Sequence, residues 1–363
     1  MTKRILFFIH SLGMGGAEKV LLAYVKGLTS SGDYHITIAT NEDSSKYVLA
    51  QDAATFATIV NLDLKKGGSF ATKLFSSFRR RQVINGLIED SDVVVDFLDG
   101  DFFKCLNRCN KPKIMWLHSS FYNLEGRKRH MRKRCENYDR IILICQDMLA
   151  ELQHEQVGWL EKVRVLYNPF NFAHISSQAE KYKECYSVEK KLLQEEYILS
   201  VSRLDEQTKD IEGLLQAYAK ALYKGVNKKL VIIGDGPDRS YLESVAANLH
   251  LHDRVHFIGL KANPYVWMKH ADTFVLSSRG EGFGLVLVEA LLLCGRVIST
   301  DCPVGPSEVL ERGRLGALVP MGDVPALTDA LLNPPPKLSN IDLAKYSDES
   351  VLREFDNMLR ELL

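Results

Sequence analysis

Residues 4–9 form a mainly apolar run that ends in His10-Ser11-Leu12-Gly13-Met14-Gly15-Gly16, and apolar positions then recur at helical spacing from Ala17 to about Leu28. This is the signature of strand, glycine turn and helix. Short apolar runs follow at 35–40, 93–97, 114–117, 141–145 and 163–166, alternating with helical stretches. Strands apolar on both faces and separated by helices predict a parallel sheet covered on both sides. Tyr167-Asn168-Pro169-Phe170-Asn171-Phe172 breaks the rhythm with a proline and reads as an interdomain linker. A second series of runs begins at 198–201 and continues at 230–233, 255–258, 273–276, 297–300 and 317–319, until Pro334-Pro335-Pro336 closes its last helix. The pattern predicts an α/β protein of two doubly wound domains facing across a cleft, residues 1–168 and 169–347. A separate amphipathic helix over residues 348–363 is expected to pack back on the first domain. Ligands of such sheets bind beyond the carboxyl ends of the strands, which is where the chemically interesting turns fall.

A length of 363 residues exceeds one ordinary core and agrees with two domains. The 46% hydrophobic and 25% charged content is that of a globular chain, with no run of eighteen apolar residues, no signal peptide and no repeat array. A cytoplasmic protein is the expectation. The seven cysteines are scattered without a C-x-x-C pair and read as reduced thiols, and no residue cluster has the spacing of a metal site. The formal net charge of zero hides an asymmetry: residues 1–170 carry 24 Lys+Arg against 19 Asp+Glu, giving +5, and the remainder 22 against 27, giving −5. The first domain is therefore the one suited to an anionic surface. Its basic run comprises Arg127, Lys128, Arg129, Arg132, Lys133 and Arg134, preceded by Phe121, Tyr122 and Leu124, with Arg79-Arg80-Arg81 as a possible extension. Such a run fits peripheral contact with an anionic membrane, or a solvated face. No nucleic-acid-binding motif accompanies it, so nucleic acid is not an expected partner.

The most informative stretch is residues 278–290, Ser-Arg-Gly-Glu-Gly-Phe-Gly-Leu-Val-Leu-Val-Glu-Ala. Glu281 sits among glycines that let the backbone approach a ligand, and Glu289 lies inside the apolar helix that Phe283 and Gly284 are expected to open. Helical rise would separate the two carboxylates by roughly 12 Å, with a positive helix end between them. Such a pair suits two hydroxyl-rich groups flanking a diphosphate; the plain alternative is a helix cap and a solvated side chain. The helix is apolar on nearly all sides, so Glu289 needs a partner. Arg203 and Lys209 follow the run 198–201 and suit a diphosphate leaving group, or form an ordinary exposed pair. Gly15 and Gly16 suit phosphate at a helix start or a tight turn, and Gly234-Asp235-Gly236-Pro237 is another strand-to-helix turn. His118 follows the run 114–117 and is expected to project toward the cleft, unless it is structural. Asp96, Asp99 and Asp101 crowd a neighbouring strand end, either to bind sugar hydroxyls or as a turn-rich acidic loop.

Taken in order, Gly15-Gly16-Ala17-Glu18, Val201-Ser202-Arg203-Leu204, Ile233-Gly234-Asp235-Gly236-Pro237, Phe257-Ile258-Gly259, residues 278–290 and Gly305-Pro306-Ser307-Glu308 make the chain resemble the retaining glycosyltransferase family 4, of GT-B fold. The resemblance spans nearly the whole chain and implies two Rossmann-like domains. It further implies a metal-independent transfer, with no cofactor, of a hexose or N-acetylhexosamine from a nucleotide-diphosphate sugar, with uridine favoured, to the sugar of a bacterial surface glycan (lipopolysaccharide or capsule) or lipid-linked oligosaccharide. It places Glu289 on the ribose, Glu281 near the transferred sugar, and the backbone amides of Phe283, Gly284 and Leu285, beside Gly282, at the diphosphate. Arg203 and Lys209 match a phosphate-binding cationic pair and His118 a donor-sugar contact, with Asp99 and Asp101 on the acceptor side. One departure stands out: the family's lysine often lies five residues after the arginine, where this chain has Thr208, with Lys209 one later. A sugar-nucleotide epimerase of the same architecture and a non-catalytic nucleotide-sugar-binding protein are the alternative readings.

Overall fold

The computed structural model describes residues 2–13, 15–62, 70–121, 128–182 and 187–363, without the side chains of 70–76, 128, 129, 187 and 188. The chain divides into two units, Met1–Phe170 with Ala344–Leu363, and Asn171–Leu343.

The first unit holds seven parallel strands, β1 (Lys3–Ile9), β2 (Tyr34–Thr40), β3 (Thr58–Asn61), β4 (Val93–Asp96), β5 (Lys113–Leu117), β6 (Arg140–Leu143) and β7 (Val163–Val165), in the spatial order 3-2-1-4-5-6-7. The apolar runs anticipate all of these except β3. Its Thr-Ile-Val-Asn is an edge strand with no buried residue, so it lacks the run that marks the others. The second unit holds six parallel strands, β8 (Tyr197–Val201), β9 (Lys229–Ile233), β10 (Val255–Phe257), β11 (Thr273–Leu276), β12 (Val297–Thr300) and β13 (Ala317–Val319), in the order 10-9-8-11-12-13. Central strands β4, β11 and β12 are buried at every residue, as strands covered by helices on both faces must be. Both expected doubly wound sheets are therefore present.

In each sheet the chain starts in the middle, builds to one edge, and then crosses back to build the other. The crossing falls between β1 and β4 in the first sheet and between β8 and β11 in the second. Connections on the two sides of that point run over opposite faces, so the loops leaving the two carboxyl ends diverge and leave a crevice.

The last helix, Asp348–Leu362, belongs to the first unit. Ser347 caps it by accepting from the Ser350 amide at 3.2 Å. Its buried residues Val351, Phe355, Met358 and Leu359 recur at i, i+4, i+7 and i+8 and form one apolar stripe. Phe355 packs edge-on against Tyr24 and Trp116, with ring centroids 5.2 and 5.3 Å away, and Arg360 pairs with Asp33 at 2.8 Å. Among the described residues no helix is long and apolar enough to cross a membrane.

Candidate functional site

Three loops meet at the carboxyl end of the second sheet. The segment after β8 contains the short helix Glu206–Lys209, which Asp210 ends in the left-handed region at φ 49°. The segment after β11 is stitched to it: Ser277 Oγ donates to the Lys209 carbonyl at 2.8 Å, the Arg279 amide donates to Thr208 O at 2.8 Å, and the Arg279 guanidinium pairs with Asp210 at 2.5 Å. The loop after β12 fixes it from the other side, because Glu281 N donates to Pro303 O at 3.1 Å and Val304 N to Glu281 O at 3.2 Å. The outcome is one ion pair at the crossing point of the sheet. Lys209 Nζ lies 2.6 Å from Glu281 Oε1, and Ser278 Oγ donates to the same oxygen at 2.5 Å. The lysine and glutamate side chains remain 20% and 12% exposed, enough for a ligand to reach them. Thr208 is exposed, so Lys209, one position later than the resemblance leads one to expect, is the residue at the carboxylate. Arg203 is exposed and forms no ion pair among the described residues.

The helix Leu285–Leu293 starts two residues later than the expected opening at Phe283. Gly284, at φ 80°, is its N-cap; this left-handed conformation favours glycine, and Phe283 precedes it with its side chain buried. Glu281 and Gly282 thus lie in non-helical chain, and helical rise does not set the spacing to Glu289. The first turn contains no acidic residue, so the positive helix end is left for an external anion. Glu289 is half-buried and accepts a hydrogen bond from Tyr265 Oη at 3.1 Å. Gly234, on the loop after β9, presses against the carbonyl of Ser202 in the loop after β8.

In the first unit, His118 follows β5 as expected, with its ring 4.9 Å from that of Phe97 and Nε2 buried without a hydrogen-bond partner. Burial, opposed by nearby Asp99, pushes the imidazole down to about 4, so it is neutral near pH 7. Asp99 accepts from the amides of His118 and Ser119 at 2.8 and 3.4 Å and from Ser119 Oγ at 2.7 Å, fastening the histidine's loop. Asp101 is exposed. Asp96 is buried and accepts from the Phe102 amide at 3.0 Å and Tyr138 Oη at 2.7 Å, which makes it an internal support. Gly15 and Gly16 are exposed at the start of the helix Gly16–Ser30. Of the basic run, Arg127 and the side chains of Lys128 and Arg129 lie outside the described residues. Arg132 pairs with Glu155 and Arg134 donates to the carbonyls of Asp99 and Gly100, while Lys133 is exposed. Two of the cations assigned to a membrane surface thus have partners within the protein. Among the described residues no three His, Cys, Asp or Glu are grouped to hold a metal.

Asp96 and His118 give opposite pH dependences. Burial raises Asp96 from 3.8 to about 7, so across that window the folded state keeps a proton the unfolded chain has lost, and this contribution to stability falls as pH rises. For His118, lowered from 6.5 to about 4, the unfolded chain holds the extra proton and stability falls as pH drops. The two offset each other in the wild type. Asp96→Asn is expected to leave the histidine unopposed, so that Tm climbs more steeply than wild type between about pH 4.5 and about pH 6.5. Parallel Tm profiles would contradict this.

Sequence reasoning missed Ser278, Arg279 and Asp210, which hold the Lys209–Glu281 pair, and Tyr265, which holds Glu289. The first two stand inside the motif; Tyr265, twenty-four residues ahead of Glu289, carries no local signal.

Residues 186–333, the region containing this site, match the family described as glycosyl transferases group 1. Across 325 residues, covering 86% of this chain and 84% of the relative, the chain is 26% identical to the N-acetylgalactosamine-N,N'-diacetylbacillosaminyl-diphospho-undecaprenol 4-alpha-N-acetylgalactosaminyltransferase of Campylobacter jejuni. Among solved structures it is similar to HepE of Anabaena in complex with UDP and glucose, with a TM-score of 0.76 at 19% identity over 99% of this chain and 100% of that one. It is also similar to the lipopolysaccharide outer core galactosyltransferase WaaB, with a TM-score of 0.71 at 18% identity over the whole of both chains. With two parallel Rossmann-like sheets, a group 1 domain around the Lys209–Glu281 pair and this likeness along its length, the chain is a glycosyltransferase of GT-B fold.

Proposed function

We propose that the protein is a retaining, metal-independent member of glycosyltransferase family 4. It moves a hexose or N-acetylhexosamine from a UDP-sugar to the sugar of a bacterial surface glycan or lipid-linked oligosaccharide. The observation that carries the reading is the Lys209–Glu281 pair, 2.6 Å apart and still reachable, beside an uncompensated helix N-terminus. Lys209, exposed Arg203 and the amides at Gly284 and Leu285 hold the diphosphate and neutralise the charge that develops as the anomeric C–O bond breaks, which is the work a metal does elsewhere. Glu281 orients Lys209 and contacts the hydroxyls of the transferred sugar. Glu289 takes the ribose hydroxyls. His118, neutral at working pH with its Nδ1 proton directed at the Phe97 carbonyl, presents Nε2 as an acceptor to a hydroxyl of the donor sugar. The acceptor oxygen forms its bond to the anomeric carbon on the face the phosphate leaves, and its proton passes to the departing phosphate oxygen, so configuration is retained. Support for UDP comes from HepE, which has been solved with UDP and with UDP-glucose. Support for the acceptor class comes from the names of two relatives, one acting on a diphospho-undecaprenol-linked sugar and one on lipopolysaccharide outer core.

A thermal-shift series with UDP, GDP and their sugars tests the donor. A ligand at a hundred times its dissociation constant adds about 2.7 kcal/mol, which for units of this size raises Tm by roughly 5–10 °C. UDP and its sugars are expected to give that shift. No shift with any nucleoside diphosphate would overturn the assignment, and conversion of donor to an isomer without acceptor would replace transfer by epimerisation.

A further inference from the structure

Tyr265 opens the helix Tyr265–His270, and its hydroxyl donates to Glu289 Oε1 at 3.1 Å. The tyrosine is itself placed by its neighbours. Its amide donates to Asn263 Oδ1 at 3.1 Å, and Asn263 Nδ2 donates to the carbonyl of Gln178 at 2.9 Å, within the helix Phe172–Ala179. The three helices Phe172–Ala179, Tyr265–His270 and Leu285–Leu293 pack on one another. A continuous line of hydrogen bonds therefore runs from the first helix through Asn263 and Tyr265 to the carboxylate on the third. Glutamate turns freely about its last side-chain bond, and a phenol fixed on Oε1 sets the plane of the carboxylate and so the direction of Oε2. Burial and the charge of Glu289 push the Tyr265 phenol well above its usual range, so it stays a donor at every working pH.

We propose that Tyr265 is a positioning residue for nucleotide selection: through its hydroxyl it aims Glu289 at the vicinal hydroxyls of the ribose, and so sets the preference for ribonucleoside over deoxyribonucleoside diphosphates. The proposal rests on the assignment of Glu289 to the ribose. Two hydroxyls can both donate to one carboxylate only if its plane lies along them, so a loosened carboxylate still carries its charge but loses much of its ability to tell whether a hydroxyl is present.

Calorimetric titration of the full chain with UDP, 2′-deoxy-UDP and 3′-deoxy-UDP tests it, using wild type and Tyr265→Phe. Phenylalanine keeps the ring and its packing and removes only the hydroxyl. Wild type is expected to bind UDP about tenfold or more tighter than either deoxy analogue, as loss of a hydrogen bond to a charged group implies. In Tyr265→Phe that ratio is expected to fall to about threefold or less, through weaker UDP binding with the affinity for the deoxy analogues little changed. A tyrosine that merely supports the fold would weaken all three ligands alike, and an unchanged ratio overturns the proposal while leaving Glu289 on the ribose. A wild type that binds all three equally, or does not bind UDP, removes the Glu289 assignment and this proposal with it.

Discussion

Glu281→Gln is expected to lower the turnover of sugar transfer about 10²–10³-fold, the effect of removing one preorganised electrostatic group from a reacting centre. The isosteric amide keeps what the fold asks of this residue. Its oxygen still accepts from Ser278 Oγ, and its backbone still exchanges hydrogen bonds with Pro303 and Val304. What disappears is the charge opposite Lys209, so the ammonium is no longer held 2.6 Å from a carboxylate and its placement against the diphosphate is lost. Tm is expected to stay within about 5 °C of wild type, since the amide keeps the hydrogen bond from Ser278 and Lys209, still 20% exposed, keeps access to water. Turnover measured as UDP release at saturating donor, beside a melting curve, checks both halves. Near-normal turnover in a folded Glu281→Gln protein would remove Glu281 and Lys209 from the mechanism, whereas a collapse of Tm would make the pair structural.

The largest stability effect is expected from Gly234→Ala. Gly234 adopts φ 143°, and a Cβ there would stand 1.8 Å from the carbonyl oxygen of Ser202, a backbone atom with no freedom to move aside. The cost combines an unfavourable backbone conformation with forced separation of two loops and is expected to reach about 4 kcal/mol, lowering Tm by roughly 8–16 °C. The same movement displaces Ser202 and, beside it, Arg203, so nucleotide binding should weaken in the fraction that folds. Gly32→Ala is the control: φ is also positive there, at 76°, but nothing lies within 4 Å of the added carbon. Its cost should stay near ~1 kcal/mol. Equal losses at the two positions would show that the close approach of the loops is not what requires glycine at 234.

The architecture could be read from the chain because a strand buried on both faces has to be apolar along its whole length. Twelve of the thirteen strands carry such a run, and β3, at an edge with no buried residue, escapes the rule that finds the others. The glycine loop and its two glutamates were visible for a similar reason: close approach of backbone to ligand, and a carboxylate on an apolar helix, each demand a residue type at a fixed place. Other features had no such mark. Whether Thr208 or Lys209 meets the carboxylate depends on Asp210 ending a short helix in the left-handed region, and on Arg279 binding that aspartate from a loop sixty-nine residues away. Arg132 and Arg134 read as surface cations until Glu155 and the carbonyls of Asp99 and Gly100 are brought beside them. Asp96 and Asp99 read equally as ligands for sugar hydroxyls or as parts of an acidic turn, and only the fold brings Tyr138, Phe102, His118 and Ser119 to them.

The sequence by itself determined the fold class, the paired sheets and the loop that carries the chemistry, since periodicity and glycine placement are local demands written into consecutive residues. Only the tertiary structure decided which charges already have partners and which are left for a substrate. A hydrogen bond or ion pair between residues far apart in the chain is set by which strand ends the topology makes neighbours, and no local pattern records that.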